Sequence, residues 1–187
     1  MLGHATGGIA ALRYAMTNSD RLLSLITMDT SPETSPLPPE VFARQAGIIE
    51  SAPRTDLYES TLTSHAGVFL QRLEEAVTRE QAVAQVKDMF EANDPVLLGR
   101  FMRAFFVDPG QHIERLRLIT CPMLSLVGEY DLPFIESAKL LAETVPGAKL
   151  QIIPGIGHMT PFEDLFMTVQ VIRKFLDESN LRRSSRT

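Results

Sequence analysis

Apolar positions along the chain change their period several times, and the changes divide it. From Gly7 to about Asn18, Ile9, Leu12 and Met16 recur at spacings of three and four, which predicts an amphipathic helix. Leu22 to Met28 is then a short, almost continuous apolar run that stops at Asp29-Thr30-Ser31-Pro32. Its length, and its place after a helix, predict a strand buried in a parallel sheet. Pro32, Pro36, Pro38 and Pro39 mark a boundary. From 39 to 118 the pattern is helical, with no convincing strand. Thr78-Arg79-Glu80-Gln81 reads as a capping box ahead of Val83, Val86, Met89 and Phe90. Asp94-Pro95 supplies an N-cap and a first-position proline ahead of Leu97, Leu98, Phe101 and Phe105.

Strand and helix then alternate again. Pro122 to Val127 predicts an apolar strand closed by Gly128-Glu129-Tyr130-Asp131. Ile135, Ala138, Leu141, Ala142 and Val145 form a helical stripe ended by Pro146-Gly147. Lys149 to Ile153 predicts the next strand, and Gly157-His158 falls in the loop after it. Thr160-Pro161-Phe162-Glu163 reads as a second capping box, opening a helix with Phe162, Leu165, Val169, Ile172 and Leu176 on one face. The division expected is α/β: core segments 1–38 and 119–178, an inserted helical subdomain over 39–118, and a polar, disordered tail over 179–187.

Composition narrows the classes. The 187 residues, 44% hydrophobic and 22% charged, suit one globular domain with a sizeable core. A formal net charge of -5 argues against a nucleic-acid partner, which would want a basic face. The single cysteine, Cys121, excludes an intrachain disulfide and reads as a small core residue. No run is long and apolar enough to cross a membrane, and no basic-then-apolar leader follows Met1, so a cytoplasmic location is expected. His65 and His112 lack metal-ligand spacing to each other or to Cys121, so no metal is expected, nor any cofactor.

The chemistry-bearing segment is Gly3-His4-Ala5-Thr6-Gly7-Gly8. In the G-x-S-x-G elbow, a serine at a sharp strand-to-helix turn presents its hydroxyl to substrate, and the flanking glycines leave room for the turn. Gly3 and Gly7 keep that frame, but Ala5 stands at the nucleophile position, and a methyl group cannot attack a carbonyl. Asp131, just after a strand, is placed either for local turn hydrogen bonds or as a catalytic acid. His158 falls in a Gly-rich loop before a capped helix, whereas a structural histidine more often sits on an apolar face.

With Gly3-His4-Ala5-Thr6-Gly7-Gly8, Leu126-Val127-Gly128-Glu129-Tyr130-Asp131 and Ile153-Pro154-Gly155-Ile156-Gly157-His158 in this order, the chain resembles the α/β-hydrolase superfamily, in its esterase, lactonase and C–C hydrolase branches. The resemblance implies His158 as the histidine and Asp131 as the acid. Asp29 is the alternative acid, since some members place theirs after the preceding strand. Thr6 N–H would be an oxyanion donor, Ala5 the vacant nucleophile position, and His4, common at that place in the family, a structural residue. The resemblance covers only the second half of the family fold: about three parallel strands with flanking helices and an inserted helical cap. At roughly 30 residues per strand-helix-strand unit, on the order of a hundred residues that the family places before its elbow are not in the sequence. They include the loop giving the other oxyanion donor.

This predicts either a fragment or misassigned start, or a sheet completed by association through an exposed strand edge, as in a dimer. The implied activity is hydrolysis of a small, partly apolar ester, lactone or similar acyl substrate, with Asp131-oriented His158 as general base on water. Aminoacrylate hydrolases, also in the superfamily, are similar at the elbow alone, which likewise reads G-H-A. The alternatives are a non-catalytic relative that binds a ligand or a protein partner, and an inactive fragment or serine-to-alanine knock-out of a serine esterase. Met89, Phe90, Phe101, Met102, Phe105 and Phe106 either line an apolar pocket or pack the cap on the core.

Overall fold

Four strands form one parallel sheet in the order of the chain: β1 (Leu2–His4), β2 (Leu25–Met28), β3 (Met123–Gly128) and β4 (Lys149–Ile153). The computed structural model describes residues 1–32, 39–63, 67, 69–70, 72–73, 79–106 and 113–184. Gly3 pairs with Thr27, Thr27 with Ser125, and Leu126 with Gln151, so the strand ends line up along one edge of the molecule. The strand additional to the three expected is β1, whose three residues are too few to show any period.

Because side chains alternate across a strand, the sheet buries two faces. On one face Leu25 and Met123 meet Leu12, Ala15 and Met16 of α1 (Thr6–Asn18) and Leu141 of α6 (Leu132–Thr144). On the other, Ile26, Leu124, Leu126 and Ile153 meet Phe175 of α8 (Leu165–Ser184). Leu12, Leu25 and Leu141 are fully buried, each stabilising the fold by about 1.5–3 kcal/mol relative to exposure. Cys121 is buried and unpaired by any disulfide in the first of these clusters.

Between β2 and β3 the described residues are helical: α2 (Pro39–Ser51), α3 (Leu57–Leu62), α4 (Arg79–Glu91) and α5 (Pro95–Phe106), with short 3-10 turns at Arg54–Asp56 and Ile113–Leu118. Asp94 caps α5 as its sequence predicts, accepting the Leu97 N–H at 2.9 Å. Tyr58, Leu70, Leu73 and Val86 form a third cluster that closes on Met159, the residue after His158. Pro36, Pro38, Thr78, His65 and His112 lie outside the described residues.

Two expectations need correcting. The last helical segment is not one helix: α7 (Thr160–Glu163) stops at Asp164, whose Oδ1 accepts the Met167 N–H and starts α8 anew. The tail expected to be disordered from 179 continues α8 to Ser184. Ser179 is buried there and its hydroxyl donates to the Phe175 carbonyl at 2.8 Å, so packing extends the helix past where composition ends it. Among the described residues, no helix is long and apolar enough to cross a membrane.

Candidate active site

The turn between β1 and α1 is strained. Ala5 has φ 47° and ψ -120°, a conformation costing a non-glycine residue about 1–3 kcal/mol. Its neighbours hold it there. The Ala5 N–H donates to the Met28 carbonyl at 2.9 Å. The Ala5 carbonyl accepts Gly8 N–H at 2.9 Å, Ile9 N–H at 3.3 Å and the Thr30 hydroxyl at 2.6 Å. The elbow geometry thus persists without a nucleophilic side chain.

The glycine frame differs from the expected one. A Cβ on Gly3 would lie 2.4 Å from the Gly7 carbonyl oxygen, and one on Gly8 would lie 2.6 Å from Thr30 Cβ, but one on Gly7 would meet nothing within 4 Å. Gly3 and Gly8 are the sterically required pair. Gly7 points outward because α1 has already begun. Thr6 is the first residue of α1, so its N–H is one of those that the helix itself leaves without an intrahelical acceptor.

Asp131 follows β3 and occupies the N-cap position of α6, yet its side chain caps nothing. Its Oδ2 lies 3.0 Å from His158 Nδ1 instead, with side-chain exposures of 1% for Asp131 and 10% for His158. Its carboxylate thus contacts the histidine and makes no cap bond to the turn. Gly128 allows the approach, since a Cβ there would sit 2.2 Å from the Gly157 carbonyl oxygen. The loop carrying His158 is pinned by Glu163, whose two oxygens accept the N–H groups of Gly157 at 2.6 Å and Met159 at 3.0 Å. The sequence marks Glu163 as half of a capping box; it does reach back to the N-cap N–H of α7, but Thr160 is not that cap.

Asp29 comes to the same place by another route. It follows β2 with φ 48°, is fully buried, and its Oδ1 accepts the Gly128 N–H at 3.1 Å. Its other oxygen lies 3.4 Å from His4 Nε2, so the alternative acid pairs with His4 while Asp131 holds His158. His4 Nε2 also lies 2.7 Å from the His158 carbonyl oxygen, which draws a residue read as structural into the cluster.

Burial dominates the electrostatics. It pushes the Asp131 carboxyl up to about 7, against the lowering effects of the His4 charge and a hydrogen bond with Asp29. Burial likewise drives His158 down to about 3, helped by the charge of His4 and opposed by that of Asp29. Around neutrality the pair therefore exchanges one proton as a unit. When Asp131 is ionised, His158 donates Nδ1–H to it, and the Nε2 lone pair is free to take a proton.

Two rings that helical periodicity did not single out cover His158. Phe69 lies 4.7 Å and Phe134 5.0 Å from it, centroid to centroid. Phe134 sits three positions after Asp131, a same-face helical spacing that could have flagged it; Phe69 lies in a stretch with no periodic signal. Of the apolar residues expected to line a pocket or pack the cap, Phe90 packs edge-on against Tyr58, and Phe101 stacks on Phe105. A cavity of about 770 Å³ lies beside this site, bounded by Arg72, Gln85, Ile156, Phe162 and Phe166, and does not include Ala5 or His158.

No family model matches the chain. It is 26% identical over 200 residues to a proline iminopeptidase of Saccharolobus solfataricus, covering 95% of this chain. The chain spans 62% of that relative's length. MenH from S. aureus superposes with a TM-score of 0.69 at 24% identity, covering 96% of this chain and 68% of that one. The enol-lactonase from Burkholderia xenovorans LB400 gives 0.78 at 19% identity, covering 94% and 64%. The parallel sheet, its flanking helices and these likenesses together show that the chain has the α/β-hydrolase fold.

Proposed function

We propose that the protein is a hydrolase of a small, partly apolar ester, lactone or similar acyl substrate, working without a covalent intermediate. The observation that carries this reading is the His158–Asp131 pair, buried and 3.0 Å apart, beside an elbow that keeps its strained form at Ala5. His158 Nε2 takes a proton from a water lodged where a serine hydroxyl would stand. The water oxygen bonds to the acyl carbon, and the developing oxyanion is met by Thr6 N–H. The tetrahedral species collapses as the C–O bond to the leaving group breaks, and His158 returns the proton to the departing oxygen. Phe69 and Phe134 supply the apolar wall.

A second reading, a relative that binds a ligand or partner without turnover, is favoured by the missing nucleophile and by the rings lying over His158. Short p-nitrophenyl acyl esters separate them. In the first reading the protein as it stands turns over, and His158→Ala lowers the rate by about 10²–10⁴-fold, the usual worth of a general base. A large gain on Ala5→Ser, abolished by His158→Ala, would instead mark a disabled serine esterase. If neither form turns over and both bind an apolar acyl compound, the binding reading holds.

A further inference from the structure

We propose that His4 is a positioning residue for His158, tethering the histidine loop to the end of β1 through an Nε2–H to carbonyl hydrogen bond that the buried Asp29 carboxylate supports. The proposal rests on His158 being the base described above.

The topology states the problem that this tether solves. β1 and β4 are the two edges of the sheet, and His158 follows β4. To face the elbow, its loop must cross the end of β3, where Gly128 leaves it room. Glu163 and the Tyr130 N–H, which donates to the Ile156 carbonyl at 2.8 Å, hold residues on either side of His158. His158 itself is held at two points: its ring by Asp131 at Nδ1, and its carbonyl by His4 at 2.7 Å. With only the first, the ring could pivot about Asp131 and carry Nε2 away from Ala5.

The chemistry of His4 fits that task. Both neighbours of its Nε2, the His158 carbonyl and Asp29 Oδ2, are acceptors, so Nε2 carries the hydrogen. The groups facing the ring are Asp29 on the β2 side, Asp131 after β3, and His158 after β4, its ring centroid 5.3 Å away. Burial alone would push His4 down, but the hydrogen bond and charge of Asp29, the His158 carbonyl and the charge of Asp131 together hold it above its ordinary value. A charged donor strengthens the bond to the carbonyl. Asp29 is fixed for the role by its second oxygen on Gly128 N–H.

Nitrogen-detected NMR of the histidine rings, with amide hydrogen exchange, tests this on the full chain. The His4 ring should titrate above an ordinary histidine, and Asp29→Asn should lower its midpoint by about one unit or more, a tenfold loss of proton affinity. In His4→Ala, exchange at the Gly157 and Met159 amides should quicken about tenfold or more relative to amides of β3. His4→Gln, which keeps an N–H at similar reach, should restore most of that protection. The tether is overturned if His4→Ala leaves the loop amides at wild-type rates. It is equally overturned if His4 titrates no higher than an ordinary histidine and is indifferent to Asp29→Asn, a reading that needs no folded His4→Ala protein. Because these signals do not depend on turnover, their failure leaves His158 as the base; an ester assay unmoved by His158→Ala overturns the base and leaves the tether.

Discussion

Alanine substituted in turn for Gly3, Gly7 and Gly8 would separate what the elbow requires from what its motif displays. At Gly3 the new Cβ would sit 2.4 Å from the Gly7 carbonyl oxygen, 2.7 Å from its carbon and 2.8 Å from Gly8 Cα, all backbone. No side chain can rotate away, so the turn itself must open, at about 3 kcal/mol or more, the upper end of overpacking. At Gly8 the obstacle is Thr30, whose hydroxyl also secures the Ala5 carbonyl. Displacing it adds the loss of that bond, about 0.5–1.5 kcal/mol, to an overpacking cost of about 1–3 kcal/mol. Gly7 has open space and no positive φ, so alanine there gains helix propensity and should stabilise by up to about 0.5–1 kcal/mol. Urea denaturation of the three variants should therefore place Gly7→Ala above wild type and both Gly8→Ala and Gly3→Ala well below it. A Gly3→Ala protein within about 0.5 kcal/mol of wild type, or a Gly7→Ala protein as damaged as Gly3→Ala, would refute this account of the turn.

The buried pair makes a pH prediction of unusual form. Raised from 3.8 to about 7, Asp131 favours the fold below 3.8, and that contribution is lost as pH rises through 7. Lowered from 6.5 to about 3, His158 favours the fold above 6.5, and that contribution is lost as pH falls through 3. Between about pH 4 and 6.5 the two slopes cancel, so the pair adds no net pH dependence there. Asp131→Asn should uncover the histidine slope, with urea-measured stability rising toward neutrality by up to about 1.4 kcal/mol per pH unit; a flat difference would contradict it. Ester turnover should rise with pH through about 7 as Asp131 ionises and frees the His158 lone pair, and a rate that falls over that range would exclude His158 as a base. Glu163→Gln, which replaces one of two acceptors holding the histidine loop with a donor, should cost about 1–3 kcal/mol by the same denaturation assay.

Much of the fold was legible because its elements differ in period. α1, α6, β4 and the start of α5 stand where spacing and caps put them, each being local: a helix stripe at three and four, a proline at a first turn, an aspartate beneath a free N–H. β1 escaped notice because three residues carry no period, and its pairing with β2 is a long-range fact. The break at Asp164 was missed because the apolar stripe runs unbroken across it, while the backbone yields to the Glu163 bonds that pin the loop.

At the site, the sequence by itself determined that a glycine-framed turn with alanine at position 5 comes first, then Asp131, then His158. It favoured Asp131 as the acid by resemblance and kept Asp29 as the alternative, because both follow strands. Only the tertiary structure assigned Asp131 to His158 and Asp29 to His4, by where each loop crosses the strand ends. It also decided which glycines matter, and it brought Phe69 and Phe134 onto the histidine ring. The physical reason is common to all three. Period, caps and turn residues are fixed by neighbours along the chain, whereas a partner's identity is fixed by distances of a few ångströms between segments up to 154 residues apart.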